Sequence, residues 1–483
     1  MGLGGKIRLG NRREAQRVIK LPSALEPVLT EVAKHGHPRL VGGCVRDALL
    51  GQPSGDIDIE VGGMDFDQLA AVLRPFGATD VVGRSFGTLN LRLAGGLYDF
   101  SLPRRESKTG AGHRGFKVDP DPSLSDHDAA SRRDFTINAI AWGPIAQKLI
   151  DPCNGRRDLE ARRVRHVGPA FTEDPLRVLR AMQLCARLDF ELDPATAELA
   201  RSIVATFAEL PAERIWGEWD KWARLSQKPS IGLRVLQQTG WIDHFPEISN
   251  MIGVPQEPEW HPEGDVFAHT LYCLDALVAD PQWADFDAEN RRILMFATLA
   301  HDFGKPATTE RVLKNGRWRW TSPRHAKAGM PLAESFLHRI GAPHPFAPTI
   351  APLVQFHLAH HDGGKDQPTD SQIRRLARKI APATITQLAT LMRADSNGRP
   401  PRQDPETLAR LEHLESRAEA LAVADSAPTA LVQGRDLIAR GLAPGPQFTP
   451  ILAAAYEAQL AGEFTNVTES LLWLDSHLKH VAD

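Results

Sequence analysis

A few short stretches of this sequence carry residues whose types and spacing suit chemistry. "GDIDIEV" (55–61) puts Asp56, Asp58 and Glu60 at alternate positions. In an extended strand, residues two apart point to one face, so Asp56 and Asp58 project together. Carboxylates held that close repel, and each costs free energy to desolvate. A divalent cation that prefers oxygen, Mg²⁺, relieves both costs. Asp99, in "LYDFSLP" (97–103), ends another predicted strand and is the best third carboxylate for a two-metal site. Glu60 reads as solvated or structural. Taken alone, the pair is equally well explained by an acidic edge strand.

The stretch before it changes that balance. In "LVGGCVRDALLG" (40–51), Gly42 and Gly43 follow an apolar run and precede a predicted helix. Glycine lets backbone approach a ligand closely, and helix N-termini attract phosphate. Arg46 sits in the first turn, where a guanidinium can meet an anion with two donors. A glycine turn followed closely by DxD reads as a triphosphate cradle beside a metal pair. "SRRDFTINAIAW" (131–142) adds Arg132 and Arg133, then Asn138. One arginine is expected to meet the triphosphate and Asn138 the ribose or metal-side oxygens; a helix start with a surface arginine pair is the plain alternative. Asp151 and Asp158 in "IDPCNGRRDL" (150–159) fit a structural Asp–Pro turn as well as a site.

"FTEDPLRVLRAMQLCAR" (171–187) reads as a helix with Thr172 as its cap and Asp174 in the first turn. Asp174, Arg177 and Arg180 are spaced to share one face. An ionised Asp only accepts hydrogen bonds and an Arg only donates. Cytosine and adenine both present an amine donor beside a ring-nitrogen acceptor, which matches such a pair. Guanine and uracil present the reverse, and their unpaired polar groups would be penalised. Side chains alone can thus select CTP and ATP.

The elements that must hold these residues follow from texture. With 483 residues the chain is long enough for two to four domains by the rough prior of about 150 residues each. Its 42% hydrophobic and 24% charged content is that of an ordinary globular chain. The net charge of −3 advertises no global attraction to nucleic acid, so any polyanion site is a local patch. Four scattered cysteines without a CxxC pair indicate neither a zinc knuckle nor a disulfide framework, and fit a reducing cytoplasm. No apolar run approaches a membrane span. Residues 1–22 read as a basic arm. From 23 to 160 helical and strand patterns mix, with "TLNLRLAG" and "LYDFSLP" as strands. Beyond 160 the strand texture disappears into amphipathic helices. Boundaries are expected near 160/161, 252/253 and 402/403, the last opening a C-terminal helical tail.

Five motifs in order, "LVGGCVRDALLG…GDIDIEV", "RRDFTINA", "DPCNGRRDL", "EDPLRVLRA" and "PAERIWGE", span 40–218. Together they resemble the class II tRNA nucleotidyltransferases, or CCA-adding enzymes, and the related bacterial poly(A) polymerases. The resemblance implies an α+β fold: a small nucleotidyltransferase head with a polymerase-β-like sheet, then a long all-α body. It implies metal binding at Asp56 and Asp58, triphosphate contacts at Gly43, Arg46, Arg133 and Arg180, and base reading at Asp174 and Arg177. Glu213 and Arg214 match a neck motif that braces the base-reading helix. Residues 104–128 resemble the flexible loop the family needs to switch to ATP. Two positions depart from the pattern: Gln183 stands where enterobacterial members have Arg, and Asn154 stands for a turn glycine.

"HPEGDVFAHT" (261–270) and "LAHDFGKPATT" (299–309) resemble an HD phosphohydrolase domain. That resemblance implies a metal site of His269, His301, Asp302 and Asp395, with Ni²⁺, Mn²⁺ or Co²⁺ as candidates. His325, His357, His360 and His361 are available for a second metal or for phosphate, and Lys305 and Lys327 to neutralise it. In enterobacterial relatives such a domain acts as a 2′,3′-cyclic phosphodiesterase, 2′-nucleotidase and phosphatase. The expected activity is therefore CCA addition to tRNA from CTP and ATP, with end-cleaning hydrolysis, without DNA or membrane partners. A poly(A) polymerase, an A-only or CC-only adder, a phosphohydrolase with a nucleotide-binding head, and a non-catalytic RNA-binding protein are the alternatives.

Overall fold

The computed structural model describes residues 21–52, 56–77, 79–80, 88–94, 96–108, 116–361, 367–401 and 404–482. Most of the basic arm and the middle of the 104–128 loop fall outside them. The described residues form two compact units that divide between His244 and Phe245.

The first unit is built on a mixed sheet. Its strands are β1 (His37–Val41), β2 (Asp58–Gly62), β3 (Thr79–Asp80), β4 (Thr88–Leu93) and β5 (Gly96–Ser101), then β8 (Ala141–Gly143) and β9 (Lys148–Ile150). The order is β3-β4-β5-β2-β1-β8-β9, with β2 and β5 parallel and the other neighbours antiparallel. Strands β6 (Arg104–Lys108) and β7 (Phe116–Pro120) form a separate hairpin.

Period-two alternation sets the two faces of this sheet. Leu40, Ile59, Val61, Leu89, Leu91, Tyr98 and Phe100 are buried on one. The interleaved Asp58, Glu60, Thr88, Asp99 and Ser101 line a cavity on the other. Strand β2 begins at Asp58, so Asp56 lies just before it, with its charge still acting on Asp58. The in-register neighbour of Asp58 is Asp99 on β5.

Helix Leu176–Leu188 follows the sheet region and packs against helices Ala212–Leu225 and Pro229–Thr239. Trp219, Trp222 and Trp241 are fully buried around it. The helix starts later than its sequence suggests. Residues Pro169–Glu173 form a 3₁₀ turn, Pro175 occupies the N-cap, and Asp174 precedes the helix. Its Oδ1 still accepts from the Leu176 amide at 3.2 Å, doing the capping expected of Thr172.

The second unit is mainly helical. Helices Val266–Ala279, Ala288–Ala300, His325–Arg339, Ala347–Phe356 and Ile385–Asn397 pack together, and the apolar run 293–300 is wholly buried. The tail forms its own small core from Val432, Leu437, Ile451, Phe464 and Leu474. Two-stranded pairs interrupt the helical texture: β10 (Arg163–Val164) with β11 (Glu191–Leu192) in the first unit, and β12 (Glu310–Lys314) with β13 (Arg317–Thr321) in the second. The β12–β13 turn is Asn315–Gly316, both with positive φ, the conformation such a two-residue turn requires. Among the described residues, no helix is long and apolar enough to cross a membrane.

Candidate active site and candidate metal centre

In the first unit, a cavity of 640 Å³ lies over the open face of the sheet. Asp58 and Asp99 stand on its floor, and Asp174, Arg177, Arg180 and Arg214 on its opposite wall. Burial raises the Asp58 pKa, Asp99 and Asp56 raise it further, and Arg133 opposes them. Such an acceptor-only pair of carboxylates suits a hard cation. Glu60 has a defined role as well: it pairs with Arg133 at 3.5 Å and lines the same cavity.

A second cavity, of 240 Å³, adjoins this one. Gly42, Gly43, Arg46, Asn138, Gln183 and Arg187 line it, and Asp58, Arg133, Asp134 and Arg180 face both. Gly42 has φ +78°, and a Cβ there would sit 3.4 Å from an Arg133 nitrogen and 3.5 Å from Asp58 Oδ2. Both are ordinary contact distances, so it is the left-handed backbone at Gly42 that calls for glycine there.

The cations are held by a buried carboxylate the sequence reading passed over. Asp134 accepts from Arg180 Nε at 2.8 Å and from Asn138 Nδ2 at 3.0 Å. Asn138 Oδ1 in turn accepts from Arg46 at 2.6 Å. The Asn138 amide thus links two charged side chains while lining the second cavity. Arg46 also pairs with Asp47 at 2.7 Å, and Arg187 reaches Asp47 at 2.8 Å. Burial alone would raise the Asp134 pKa, but Arg180, Asn138 and Arg177 outweigh it and hold it below the ordinary value. Arg180 is shifted upward, first by Asp134. The third letter of "RRD" was the only signal in the sequence. Gln183 has a buried Oε1 with no hydrogen-bond partner.

Asp174 and Arg177 come together although only one is helical. Arg214 holds Asp174 at 3.3 Å and 2.9 Å, which is the bracing expected of the neck motif. Arg177 donates to the carbonyls of Ala170 at 2.7 Å and Arg132 at 2.9 Å. A guanidinium has five donors and a carboxylate about four acceptor sites, so both retain capacity for a ligand while their orientation is fixed. Asp151 and Asp158 are structural: Asp151 accepts from the amides of Gly155 and Arg156, and Asp158 from Thr136 and Arg165. Asn154 is left-handed, which an asparagine tolerates.

In the second unit the four residues expected to bind metal converge. His269 Nε2 lies 3.0 Å from Asp395, His301 Nε2 lies 3.3 Å from Asp302, and His269 Nε2 lies 3.8 Å from Asp302. His325 reaches Asp302 at 3.3 Å, and His357 is 3.3 Å from His325. Gly304 makes this approach possible, because a Cβ there would meet the His325 carbonyl at 2.0 Å. His360 lines a separate cavity with Arg375, Lys379 and Arg410. Lys327 is exposed, and the His361 side chain lies outside the described set.

The tautomers test whether a cation fits. His301, His325 and His357 each have Nδ1 2.7 Å from a carbonyl three residues earlier, of Thr298, Ser322 and Val354. Carbonyls only accept, so each Nδ1 carries a proton, and in the neutral ring each Nε2 is a lone pair. These lone pairs converge on Asp302, whose Oδ2 also meets Lys305 Nζ at 2.7 Å. Imidazole and carboxylate acceptors gathered in one buried place fit a cation ligated by nitrogen and oxygen. Burial would raise the Asp302 pKa, but His301 and Lys305 outweigh it and hold it far down. Burial pushes His357 down to about 3. Around this core stand Glu263, which accepts from His269 at 2.7 Å, Cys273, and Arg399, which pairs with Asp395 at 2.7 Å. Of the three, only Glu263 lies in a stretch whose spacing pointed to a site, "HPEGDVFAHT".

Comparison with known proteins agrees with this geometry. Residues 38–165 match the poly A polymerase head domain family, and 189–252 match the probable RNA and SrmB-binding site of polymerase A. The chain is 36% identical over 434 residues to the multifunctional CCA protein of Xanthomonas campestris pv. campestris (strain B100), covering 87% of this chain and 97% of that one. It is 37% identical over 369 residues to the multifunctional CCA protein of Xylella fastidiosa (strain 9a5c), covering 74% and 83%. Among solved structures, the Bacillus stearothermophilus CCA-adding enzyme in complex with CTP aligns at TM-score 0.63 and 22% identity, over 96% of this chain and 99% of that one. The Thermotoga maritima CCA-adding enzyme complexed with tRNA-CCA aligns at 0.60 and 19%, over 97% and 99%. These structures share the fold.

Proposed function

The chain belongs to the multifunctional CCA protein family of tRNA nucleotidyltransferases, and from that premise we propose that it completes tRNA 3′ ends by adding C, C and A from CTP and ATP. The observation that carries this is a single cavity with Asp58 and Asp99 on its floor and Asp174 and Arg177 on its wall. A carboxylate pair for metal and an acceptor–donor pair for a base thus face one ligand-sized space.

In this reading Asp56, Asp58 and Asp99 hold Mg²⁺. When bound, the cation supplies Lewis-acid activation of the terminal hydroxyl and neutralises the triphosphate. Arg133, Arg180 and Arg46, with Gly42 and Gly43, bind and orient the triphosphate, and Asn138 fixes Arg46. Asp174 accepts from the base amine, and Arg177 donates to the adjacent ring nitrogen. The acceptor hydroxyl attacks the α-phosphorus, and pyrophosphate leaves. Residues 23–160 would carry transfer and 161–252 base reading and RNA binding. A tRNA acceptor and four free cysteines fit a reducing cytoplasm.

Residues 253–402 are assigned a phosphohydrolase activity on RNA ends, supported by the convergence of His269, His301, Asp302 and Asp395. The donor set suits a transition metal such as Ni²⁺, Mn²⁺ or Co²⁺. Primer extension tests the transfer reading. Transcripts ending before CCA, at C and at CC are each given CTP, ATP or both. Stepwise completion supports it; ATP runs without CTP incorporation would mark a poly(A) polymerase.

A further inference from the structure

The β12–β13 hairpin has two unlike faces. Arg311 opposes Trp320 and Leu313 opposes Trp318, so these four side chains share one face. That face is open: Leu313 is 61% and Trp318 59% exposed. The Arg311 guanidinium lies 5.6 Å from the Trp318 ring centre and 5.8 Å from that of Trp320. The hairpin carries four cations, Arg311, Lys314, Arg317 and Arg319, against one carboxylate, Glu310, in a chain of net charge −3. Arg319 pairs with Glu259 at 2.6 Å, while Arg311, Lys314 and Arg317 make no ion pair among the described residues. An exposed aromatic–apolar face on a two-stranded hairpin is a cost unless something covers it.

Its place in the chain indicates what does. The hairpin lies between His301–Asp302 and His325 and is closed at its base by Thr309 and Ser322, whose hydroxyls are 2.8 Å apart. The Trp320 amide donates to Glu257 at 3.0 Å. Glu257 and Glu259 belong to the loop that continues to His261 and Glu263 beside His269. The platform is therefore fastened to the segments that carry the candidate metal ligands.

We propose that the Arg311–Trp318–Trp320 face is a stacking platform for unpaired bases at the 3′ end of an RNA whose terminal phosphate enters the His301–Asp302 site. This rests on the hydrolase reading of that site. Bases of any sequence stack on an indole, and Arg311, on the same face and without an ion pair among the described residues, adds cation–π attraction and a charge for the phosphate backbone. An apolar protein partner on this face would leave the Arg311 guanidinium uncompensated.

The test uses the full-length protein, Trp318→Ala, and Arg311→Gln, which keeps the indoles in place. The probe is a short single-stranded RNA with 2-aminopurine in its last base and a 2′,3′-cyclic phosphate end. Wild type should quench 2-aminopurine on binding. Each variant should lose the quench, bind about tenfold more weakly, and show a matching rise in KM for hydrolysing the oligonucleotide. Hydrolysis of a nucleoside 2′,3′-cyclic monophosphate and addition of CCA should be unchanged. Unchanged quenching and affinity in both variants would overturn the platform, as would loss of self-association in sedimentation in place of loss of RNA binding. Wild type that quenches the probe but hydrolyses neither substrate would sink the hydrolase reading and leave the platform standing.

Discussion

Asp58 and Asp99 are in-register neighbours on parallel strands, so the carboxylate pair of the head is made across the sheet. Asp58→Asn and Asp99→Asn should each lower nucleotide addition about a thousandfold, since a metal contributes several kcal/mol to the transition state. Far-UV circular dichroism should be unchanged. Measuring addition across Mg²⁺ concentration checks it: equal activity of Asp99→Asn would return the metal role to the Asp56–Asp58 pair alone, and equal activity of Asp58→Asn would overturn it.

The raised pKa of Asp58 has a direction in pH. Protons and cation compete for the same oxygens, so the half-saturating Mg²⁺ should climb as pH falls toward that pKa. The linked stability has the same sign in metal-free protein. A carboxylate raised in the fold binds its proton more tightly there, so its contribution is greatest at low pH and declines as pH rises through its ordinary value. Asp58→Asn should flatten both profiles.

Arg214 holds Asp174 with two contacts, so Arg214→Ala should loosen selection more than catalysis. Misincorporation of GTP and UTP relative to CTP and ATP should rise about tenfold, while stability changes by less than about 1 kcal/mol for this half-exposed pair. Competition assays with all four nucleotides measure it.

Asp134 is a buried carboxylate paired with Arg180, whose side chain is part-exposed at the cavity wall. Asp134→Ala should cost about 1–3 kcal/mol, because solvent reaches Arg180 and screens it, while Asn138 loses its acceptor; chemical denaturation reads it. Its pKa is depressed in the fold. It therefore stabilises above the ordinary carboxylate pKa, and that stability is lost as pH falls through the depressed value. The wild type should lose this increment in acid and the variant should not.

The imidazoles and carboxylates gathered around Asp302 predict that a transition metal stabilises the second unit. At a hundredfold excess over its dissociation constant the gain is about 2.7 kcal/mol. Thermal melts with Ni²⁺, Mn²⁺ and Co²⁺ against chelator should reveal it, and His301→Ala with His357→Ala should abolish it. Equal melts in wild type and variant would place the metal elsewhere.

Much of the site was legible in the sequence because its signals are local. The alternation around Asp58 and Asp99, the Gly42 turn and the His301–Asp302 doublet each report on a few adjacent residues, whose backbone period decides which way they point. The β12–β13 hairpin was just as local, with its Asn315–Gly316 turn, but the helical texture on either side hid it. Partnership was not legible. That Asp58 meets Asp99, that Asp134 gathers Arg180 and Asn138, and that three imidazoles aim their lone pairs at Asp302 depends on residues far apart in the chain. Sequence alone determined which groups carry charge, lone pairs and glycine freedom. The tertiary structure decided which of them share a cavity, because register and helix packing set distances that no local pattern encodes.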